Sequence, residues 1–225
     1  ELTSLGFPLV VKPNRLSHGR GVTLVSDHEA MRAAIENAWR LDAIALVQDA
    51  IEGRDVRLDF LDGEYLMGYE RRPIVVRGDE RSSLAVLLEA FDPRFDEEGR
   101  QKLVRIERVA EALAARGWSL DTVLAKGEAL DLESPIKNLH AGCTAVYLPC
   151  IPDALRRHCV RAADALGLRH FGVDLKVASL DADPETAVFI EINASPLLTQ
   201  IARLGHAEEA VAAQMRVLSA IGAHR

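Results

Sequence analysis

Apolar and polar residues alternate along "FGVDLKV", a stretch in the last third of the chain. Successive side chains of a β-strand point to opposite faces, so this alternation predicts a half-buried strand. The apolar face consists of Phe171, Val173, Leu175 and Val177. We expect that face to lie in the core, and Gly172, Asp174 and Lys176 to lie on the opposite face.

A second strand is predicted in "VFIEINASP", and the linker "ASLDADPETA" predicts a hairpin loop between the two strands. Here alternation predicts Val188, Ile190 and Ile192 in the core and Phe189, Glu191 and Asn193 on the other face. If the strands pair antiparallel, Asp174, Glu191 and Asn193 converge on one patch. Two carboxylates and an amide oxygen are hard ligands of the kind that Mg²⁺ accepts, with phosphate oxygens completing the shell. The alternative is a solvated edge hairpin in which Lys176 pairs with an acid.

The first fifty residues also show strand and helix patterns. "FPLVVKP" and "GVTLVS" predict two strands joined by a polar turn that contains glycine. "DHEAMRAAIENAWRL" predicts a helix with Asp27 as N-cap and an apolar face formed by Met31, Ala34, Ile35 and Trp39. "AIALVQDAI" predicts a further strand that runs into a loop.

Downstream, "DVRLDFLDGEYLMGYERRP" predicts two strands about the turn Asp62-Gly63. Helices interrupted at "FDPRFDEEGR" are predicted from Ser82 to about Gly117, followed by a loop-rich stretch that ends at "NLHAGC". "PDALRRHCVRAADALGL" predicts a helix, and a last helix is expected from His206 to about Ile221. This order of elements predicts an α+β fold with mostly antiparallel strands.

Composition narrows the class of protein. The chain has 27 basic and 34 acidic residues, a net charge of −7, which argues against a general nucleic-acid surface. Three cysteines, Cys143, Cys150 and Cys159, lack the spacing of a disulfide framework or a zinc site. No apolar run reaches the roughly 20 residues that a membrane helix needs. These features predict a cytoplasmic protein that binds no membrane.

Two stretches are candidates for binding a nucleotide. Lys12 ends an apolar strand, and the glycines on either side of Arg20 would let backbone N–H groups approach a phosphate. In "LVQDAIEGRDVR", exposed main chain after a strand could meet an adenine ring while Asp55 binds ribose hydroxyls. Taken alone, the first stretch is more often an ordinary hairpin loop, and the second pattern is weak.

Three arginines are candidates for binding an anion. Arg71 and Arg72 end a predicted hairpin strand, and Arg57 lies on its partner strand. A planar guanidinium suits phosphate or carboxylate recognition. Solvated surface charge is the commoner role of any single arginine.

The order of the motifs is more informative than any one of them. The chain resembles the ATP-grasp carboxylate–amine ligases along nearly its whole length, through "FPLVVKP", "SHGRGV", "VQDAIEGRDVRLDF", "ERRP", "NLHAGC", "GVDLKV" and "EINASP". Within that family it is similar to the ATP-grasp modules of cyanophycin synthetase and bifunctional glutathione synthetase and to N-acetylglutaminylglutamine synthetase.

The resemblance implies a fold and a set of binding roles. It implies two α+β lobes around a nucleotide cleft, residues 1–50 with a lid loop at 13–21 and residues 51–225, and leaves open a further domain upstream. The residues that would bind ATP are Lys12, Gly19, Arg20, Gly21, Val22, Gln48, Asp49, Ile51 and Asp55. Mg²⁺, or Mn²⁺ in its place, would be held by Asp174, Glu191 and Asn193. Arg72 would meet the transferred phosphoryl group or the acyl substrate, with Arg57 as a weaker candidate.

The reaction implied by the resemblance joins a carboxylate to an amine, with amino acids or peptides as substrates. A carboxylate would attack the γ-phosphate of ATP, and an amine would then displace phosphate from the acyl phosphate. The resemblance also leaves open a homo-oligomer. The alternative is a nucleotide-binding or partner-binding module that has kept the fold without the reaction.

Overall fold

The computed structural model describes residues 6–16, 20–91, 113–114, 116–132 and 143–222. The chain divides into two compact units, which we call unit 1 and unit 2. Unit 1 comprises Glu1–Ala50 and Pro73–Thr144, and unit 2 comprises Ile51–Arg72 and Ala145–Arg225. The predicted lobes, residues 1–50 and 51–225, stay a prediction. Helices and antiparallel sheets occur together, so the predicted α+β class is confirmed.

Unit 1 begins with a three-stranded antiparallel sheet. Strand β1 (Leu9–Pro13) lies between β2 (Thr23–Val25) and β3 (Ala45–Asp49), as the apolar runs predict. Helix α1 (His28–Leu41) covers one face of this sheet. The core between them contains Leu9, Val11, Val25, Met31, Ala34 and Ala38. Alternate residues of β1 and β3 are therefore left on the face that α1 does not cover.

Helix α1 begins as its sequence predicts. The Asp27 side chain accepts a hydrogen bond of 2.8 Å from the backbone N–H of Ala30, which satisfies one of the free donors of the first turn. The predicted apolar face is wrong at its last position. Ala38 is fully buried, whereas the Trp39 side chain is 60% exposed, since a step of seven residues from Met31 matches two helical turns better than eight.

The rest of unit 1 contains α2 (Leu84–Phe91) and strand β6 (Ala129–Leu132). Strand β6 pairs with the end of the long strand β5 (Glu64–Arg77). The core of this part contains Val76, Leu84, Leu88, Leu113, Leu124 and Leu130. The loop-rich interpretation is therefore wrong for β6, while the helices predicted over 92–112 and most of "NLHAGC" lie outside the described residues.

Unit 2 is built on antiparallel strands in the order β5, β4 (Arg54–Leu61), β8 (His170–Val177) and β9 (Val188–Ala194). Strand β7 (Cys143–Leu148) also pairs with β5. The predicted turn between β4 and β5 is confirmed, with left-handed φ values of 51° at Asp62 and 78° at Gly63. Helices α3 (Asp153–Asp164) and α4 (Ala207–Gly222) complete the unit.

The core of unit 2 lies on one face of its sheet. It contains Val56, Leu58, Phe60, Leu148, Leu155, Cys159, Ala163, Phe171, Val173, Leu175 and Val177. All four apolar residues predicted to face inward from β8 belong to it. The other face of β8 carries Gly172, Asp174 and Lys176, as alternation predicts.

Strand β9 departs from simple alternation because of a β-bulge. Asp174 is opposite Glu191, but the next residue of β8, Leu175, is opposite Phe189, so Ile190 is an extra residue. Phe189 and Ile192 consequently pack against the core, while Val188 and Ile190 are 37% and 45% exposed. The predicted inward orientation of Val188 and Ile190 and the outward orientation of Phe189 are wrong. Glu191 lies beyond the bulge, and its pairing with Asp174 is unaffected.

Cys150 and Cys159 are the cysteines whose side chains the structure describes. Burial raises the pKa of the Cys159 thiol to about 12, and Cys150 is free and exposed. Across the described ranges, no helix has the length and apolar content needed to cross a bilayer.

Candidate functional site

In unit 1, candidate ligand-binding residues lie on the sheet face opposite α1. Lys12 is paired with Leu46, and Val10 is paired with Gln48, so Lys12 and Gln48 share this face as diagonal neighbours. Such neighbours lie roughly 7–8 Å apart, which long side chains can span. Neither an ion pair nor a hydrogen bond is found for the Lys12 ammonium within the described residues. The Lys12 cation and the Gln48 amide are therefore close together on one sheet face.

The predicted phosphate loop is only partly described. Gly19 lies outside the described residues, Arg20 is exposed and Val22 is half-buried. Gly21 has a φ of 77°, and a Cβ there would lie 2.7 Å from Leu41 Cδ1 and 2.8 Å from Pro13 Cγ. A glycine is thus required at position 21 both by the backbone conformation and by the close approach of its neighbours.

Two further predicted nucleotide contacts, Asp49 and Ile51, flank Ala50 in the chain. Asp49 is an exposed residue at the end of β3, and the backbone N–H of Ala50 donates to the carbonyl of Pro8 at 3.1 Å. Ile51 is 37% exposed at the start of unit 2. The main-chain roles of Asp49 and Ile51 in binding adenine stay predictions.

In unit 2, the three predicted metal ligands come from two paired strands. Asp174 of β8 is opposite Glu191 of β9, and Gly172 is opposite Asn193. Glu191 is exposed and Asn193 is half-buried. The antiparallel pairing therefore brings the three residues to one end of the hairpin, as the sequence predicts.

Asp174 is also the centre of a row of alternating charges. Its carboxylate accepts from Arg71 Nη2 at 2.7 Å and from Arg57 Nη1 at 3.0 Å, one guanidinium on each oxygen. The row, which we call the charge ladder, consists of Lys176, Asp55, Arg71, Asp174, Arg57 and Asp59. It runs across β5, β4 and β8 on the face opposite the core and contains three cations and three anions.

An ion pair also holds each end of the ladder. Asp55 accepts from Arg71 Nη1 at 2.8 Å and lies 3.2 Å from Lys176 Nζ. At the other end, Arg57 Nε donates to Asp59 Oδ1 at 2.7 Å. Arg71 also lies over the ring of Tyr69, with 5.5 Å from Cζ to the ring centroid. The four inner charges of the ladder each contact two opposite charges, and the two end charges, Lys176 and Asp59, each contact one.

Burial and the neighbouring charges shift the pKa values of groups in the ladder. Asp59 is 1% exposed, and this burial raises the pKa of its carboxyl to about 6 although Arg57 lowers it. Burial lowers the pKa of Arg71, but the charges of Asp174 and Asp55 outweigh it and raise the value above the usual range. Both arginines therefore stay charged at any pH at which the protein folds.

Arg71 and Arg72 lie on opposite faces of the sheet. Arg71 is paired with Asp55 and joins the ladder, whereas Arg72 donates to Glu70 at 2.8 Å and its side chain is 49% exposed. Glu70 also accepts from Arg54 at 2.6 Å. The family resemblance gave a role to Arg72, whereas Arg71 was one of three arginines that the sequence offered for binding an anion. Alternation along the predicted hairpin could have identified Arg71, since the pairing with Asp55 puts Arg71 on the same face as Asp55 and Arg57.

The predicted donor set suits a hard metal ion only if a bound substrate supplies further oxygen atoms. Within the described parts of the chain, no group of three or more His, Cys, Asp and Glu side chains could hold a metal ion. The predicted set is instead two carboxylates and one amide, all oxygen donors. Oxygen donors in this number match Mg²⁺, which usually keeps water or substrate phosphate oxygens in its shell. The residues fit such an ion in kind, and phosphate oxygens would have to complete the coordination.

Comparison with known proteins shows what this chain is similar to. Residues 1–79 match the family model described as the D-ala D-ala ligase C-terminus. The chain is 27% identical over 203 residues to the bifunctional glutathione biosynthesis protein of Desulfotalea psychrophila, covering 86% of this chain and 26% of that protein. It is 32% identical over 203 residues to cyanophycin synthetase of a Nostoc species, covering 85% of this chain and 22% of that protein.

A solved structure extends the likeness to the fold. The bifunctional glutathione synthetase from Pasteurella multocida superposes with a TM-score of 0.55 at 25% identity, over 85% of this chain and 27% of that one. Along most of its length, the chain is therefore similar to ligases of the ATP-grasp family. It spans about a quarter of the length of the relatives that it matches.

Proposed function

We propose that this ATP-grasp chain is the catalytic module of an ATP-dependent ligase that joins a carboxylate to an amine. The observation that carries the proposal is the composition of one sheet face in unit 2. Asp174 and Glu191 are directly opposite one another there, and the guanidinium groups of Arg57 and Arg71 both contact Asp174. An ion pair that only stabilises the fold needs one carboxylate and one cation, whereas this face brings together two carboxylates and two arginines.

The proposed reaction has two steps. Attack of a carboxylate oxygen on the γ-phosphorus of ATP breaks the bond to the β-phosphate oxygen and gives an acyl phosphate and ADP. An amine then attacks the acyl carbon, phosphate leaves, and the amine loses a proton to give an amide. Such chemistry requires aligned reactants and neutralised charge more than covalent help from the protein.

Arg57 and Arg71 are the residues that we propose for neutralising the transferred phosphoryl group. Both guanidinium groups are largely buried, with side-chain exposures of 11% and 14%. A cation that is already desolvated and fixed stabilises developing negative charge without having to reorganise. Arg71 takes the part that the sequence alone assigned to Arg72, because Arg71 shares a sheet face with Asp174.

Magnesium would be held by Asp174, Glu191 and Asn193, with Mn²⁺ as a substitute. When bound, the ion would supply charge neutralisation at the phosphate oxygens. Asp174 is already engaged by two arginines, so we propose that these guanidinium groups transfer part of their hydrogen bonding from Asp174 to the ligand. This exchange keeps each partner of Asp174 paired.

Lys12, Gln48 and the loop with Arg20, Gly21 and Val22 are proposed to bind ATP. An ammonium without an ion pair in the described residues suits the triphosphate, and the Gln48 amide on the same face could bond adenine. The proposed ribose contact of Asp55 is less well supported, since both of its oxygens already contact cations. Holding Arg71 in place is the second role that we propose for Asp55.

The test is ADP formation by the purified chain, measured with a panel of amino-acid carboxylates and amines. We expect Mg²⁺-dependent ADP release that requires both a carboxylate and an amine, and an amide product visible by mass spectrometry. Glu191→Gln is the matched control, since it should abolish turnover. Binding of ATP with no turnover for any pair would support the alternative of a binding module.

A further inference from the structure

We propose that Asp59 is a positioning residue of this site, which holds the Arg57 guanidinium over Gly172 so that one edge of it faces a ligand. The inference deepens the proposed function and rests on the role that it gives to Arg57. Asp59 was not among the candidate residues of the sequence. It lies on β4 two residues after Arg57, on the same face of the strand.

Two carboxylates hold two edges of the Arg57 guanidinium. Nε donates to Asp59 Oδ1 at 2.7 Å, and Nη1 donates to Asp174 Oδ2 at 3.0 Å. These two bonds fix both the position and the plane of the group, since two donors of one planar fork are then held. Nη2 has no acceptor among the described residues, and it is the part of the fork that remains for an incoming oxyanion.

Gly172 provides the space in which that guanidinium lies. A Cβ at position 172 would be 2.6 Å from Arg57 Cζ, and still closer to Arg57 Nη2 and to Asp59 Oδ1. Real Cβ atoms do not approach other atoms so closely, so a side chain at 172 and this arginine position exclude one another. Gly172 is also the cross-strand partner of Asn193, a proposed ligand of the metal ion. Nη2 therefore lies at the side of the site where the phosphate of a nucleotide is expected.

The burial of Asp59 is hard to explain as a contribution to stability. A carboxylate that is 1% exposed loses most of its hydration, and buried ion pairs seldom stabilise a fold more than apolar residues of similar size. Asp59 can hold Arg57 Nε because it is a hydrogen-bond acceptor, which an apolar residue is not. We therefore assign to the buried carboxylate the role of fixing the geometry of Arg57.

Two substitutions disturb Arg57 from different sides. Asp59→Asn keeps the shape of the side chain but removes its charge. Gly172→Ala keeps both charges but pushes against the side-chain ends of Arg57 and Asp59, so the position of the guanidinium must change. Asp62→Asn is the matched control, because it removes a carboxylate of the same hairpin whose arginine partner, Arg169, is exposed.

The first measurement needs no nucleotide. In a ¹H–¹⁵N spectrum of the free protein, we expect a protected Nε–H signal from Arg57, assigned by its loss in Arg57→Lys. Asp59→Asn and Gly172→Ala should shift or broaden that signal, while Asp62→Asn leaves it unchanged. An unaltered Arg57 signal in both test variants would overturn the inference.

The second measurement is binding of inorganic phosphate to the protein saturated with Mg²⁺ and ADP, followed by calorimetry. We expect phosphate affinity to fall about tenfold in Asp59→Asn and Gly172→Ala, the cost of weakening one charged hydrogen bond. ADP affinity should stay within about twofold of the wild type in both variants, because neither substitution changes a residue proposed to contact ADP.

A double-mutant cycle separates positioning from a general structural role. If Asp59 acts through Arg57, Asp59→Asn should have no further effect on phosphate affinity when Arg57 is already lysine. An effect of the same size in both backgrounds would overturn the inference. Failure of the proposed function would be a different result: the wild type would neither bind phosphate in the presence of Mg²⁺ and ADP nor turn over. In that case the spectrum of Arg57 still decides whether Asp59 positions it.

Discussion

The polar faces of the two units present their charges in different ways. In unit 1, Lys12 lies on an open sheet face with no ion pair among the described residues. In unit 2, each of the six charges of the ladder contacts at least one opposite charge, and most are largely buried. An unpaired cation can bind an anion directly. A paired one does so with an N–H group that its partners leave free or by exchanging partners, and its position is fixed in advance.

This difference predicts that mutations in the two units affect ligand binding and stability differently. Removing an unpaired, half-buried lysine should affect ligand binding and leave stability almost unchanged. Removing one member of a buried network leaves its partners unpaired, and that costs stability as well as function. Measuring both quantities for matched variants would therefore test whether the two faces work as described.

The largest effect is expected for Asp174→Asn. The substitution removes a proposed metal ligand and leaves Arg57 and Arg71 with one fewer anion, so turnover should fall by more than about 100-fold. The free energy of unfolding should fall by roughly 3–5 kcal/mol, the cost of breaking a buried pair from one side. ADP release assays and urea unfolding would measure the two losses.

Glu191→Gln is the control within the same proposed metal site. Glu191 is exposed and forms no ion pair within the described residues, so turnover should be lost while stability changes by less than about 0.5 kcal/mol. Full activity in this variant would contradict the metal role of the Asp174 and Glu191 pair. Equal losses of stability in both variants would contradict the ladder.

The next effect distinguishes the two neighbouring arginines of β5. Arg71→Lys should lower turnover by about 10- to 100-fold, since a lysine cannot bridge Asp55 and Asp174 with a planar fork. Arg72→Lys should stay within about threefold of the wild type, because Arg72 contacts Glu70 on the opposite face. The reverse order of effects would restore the role that the sequence assigned to Arg72.

In unit 1, Lys12→Ala should weaken binding of ATP by about tenfold, the loss of one charge-assisted contact. The melting temperature should stay unchanged, because no ion pair of the described residues is broken. Calorimetric titration and thermal unfolding of the same preparation would measure both quantities. An unchanged ATP affinity would remove Lys12 from the site.

Features that depend on a few adjacent residues could be predicted from the sequence. The turn Asp62-Gly63, the cap at Asp27 and the two faces of β8 all follow local rules, and the structure confirms them. Alternation also identified Asp174 and Glu191 as residues of one face. Their joint placement needed only that two neighbouring strands form a hairpin.

Features that depend on the register between strands could not be predicted in the same way. The bulge at Ile190 reverses the orientation of Val188 and Phe189, and only the pairing with β8 determines where it occurs. Arg71 rather than Arg72 faces the ladder because of the pairing with Asp55. In the sequence, Asp59 could not be distinguished from other polar residues of an outer strand face. Its burial depends on which parts of the chain pack against that face.

A smaller effect is expected for Glu70, which belongs to neither polar face described above. Burial raises the pKa of its carboxyl, but hydrogen bonds from Arg54 and Arg72 lower it more, to about 2. A carboxyl with a depressed pKa stabilises the fold above its unfolded value of 4.5, and this contribution is lost as pH falls toward about 2. Glu70→Gln should therefore cost roughly 1–3 kcal/mol at pH 7 and almost nothing near pH 2, measured by urea unfolding.

The smallest effect is expected on the exposed side of α1. Trp39 is 60% exposed whereas Ala38 is fully buried, so Trp39→Ala should change the free energy of unfolding by less than about 0.5 kcal/mol. Ala38→Leu should cost about 1–3 kcal/mol, because a larger side chain does not fit the packed interface with β1. A large loss for Trp39→Ala would show that this face of α1 is covered in solution, and that unit 1 buries more than its own core.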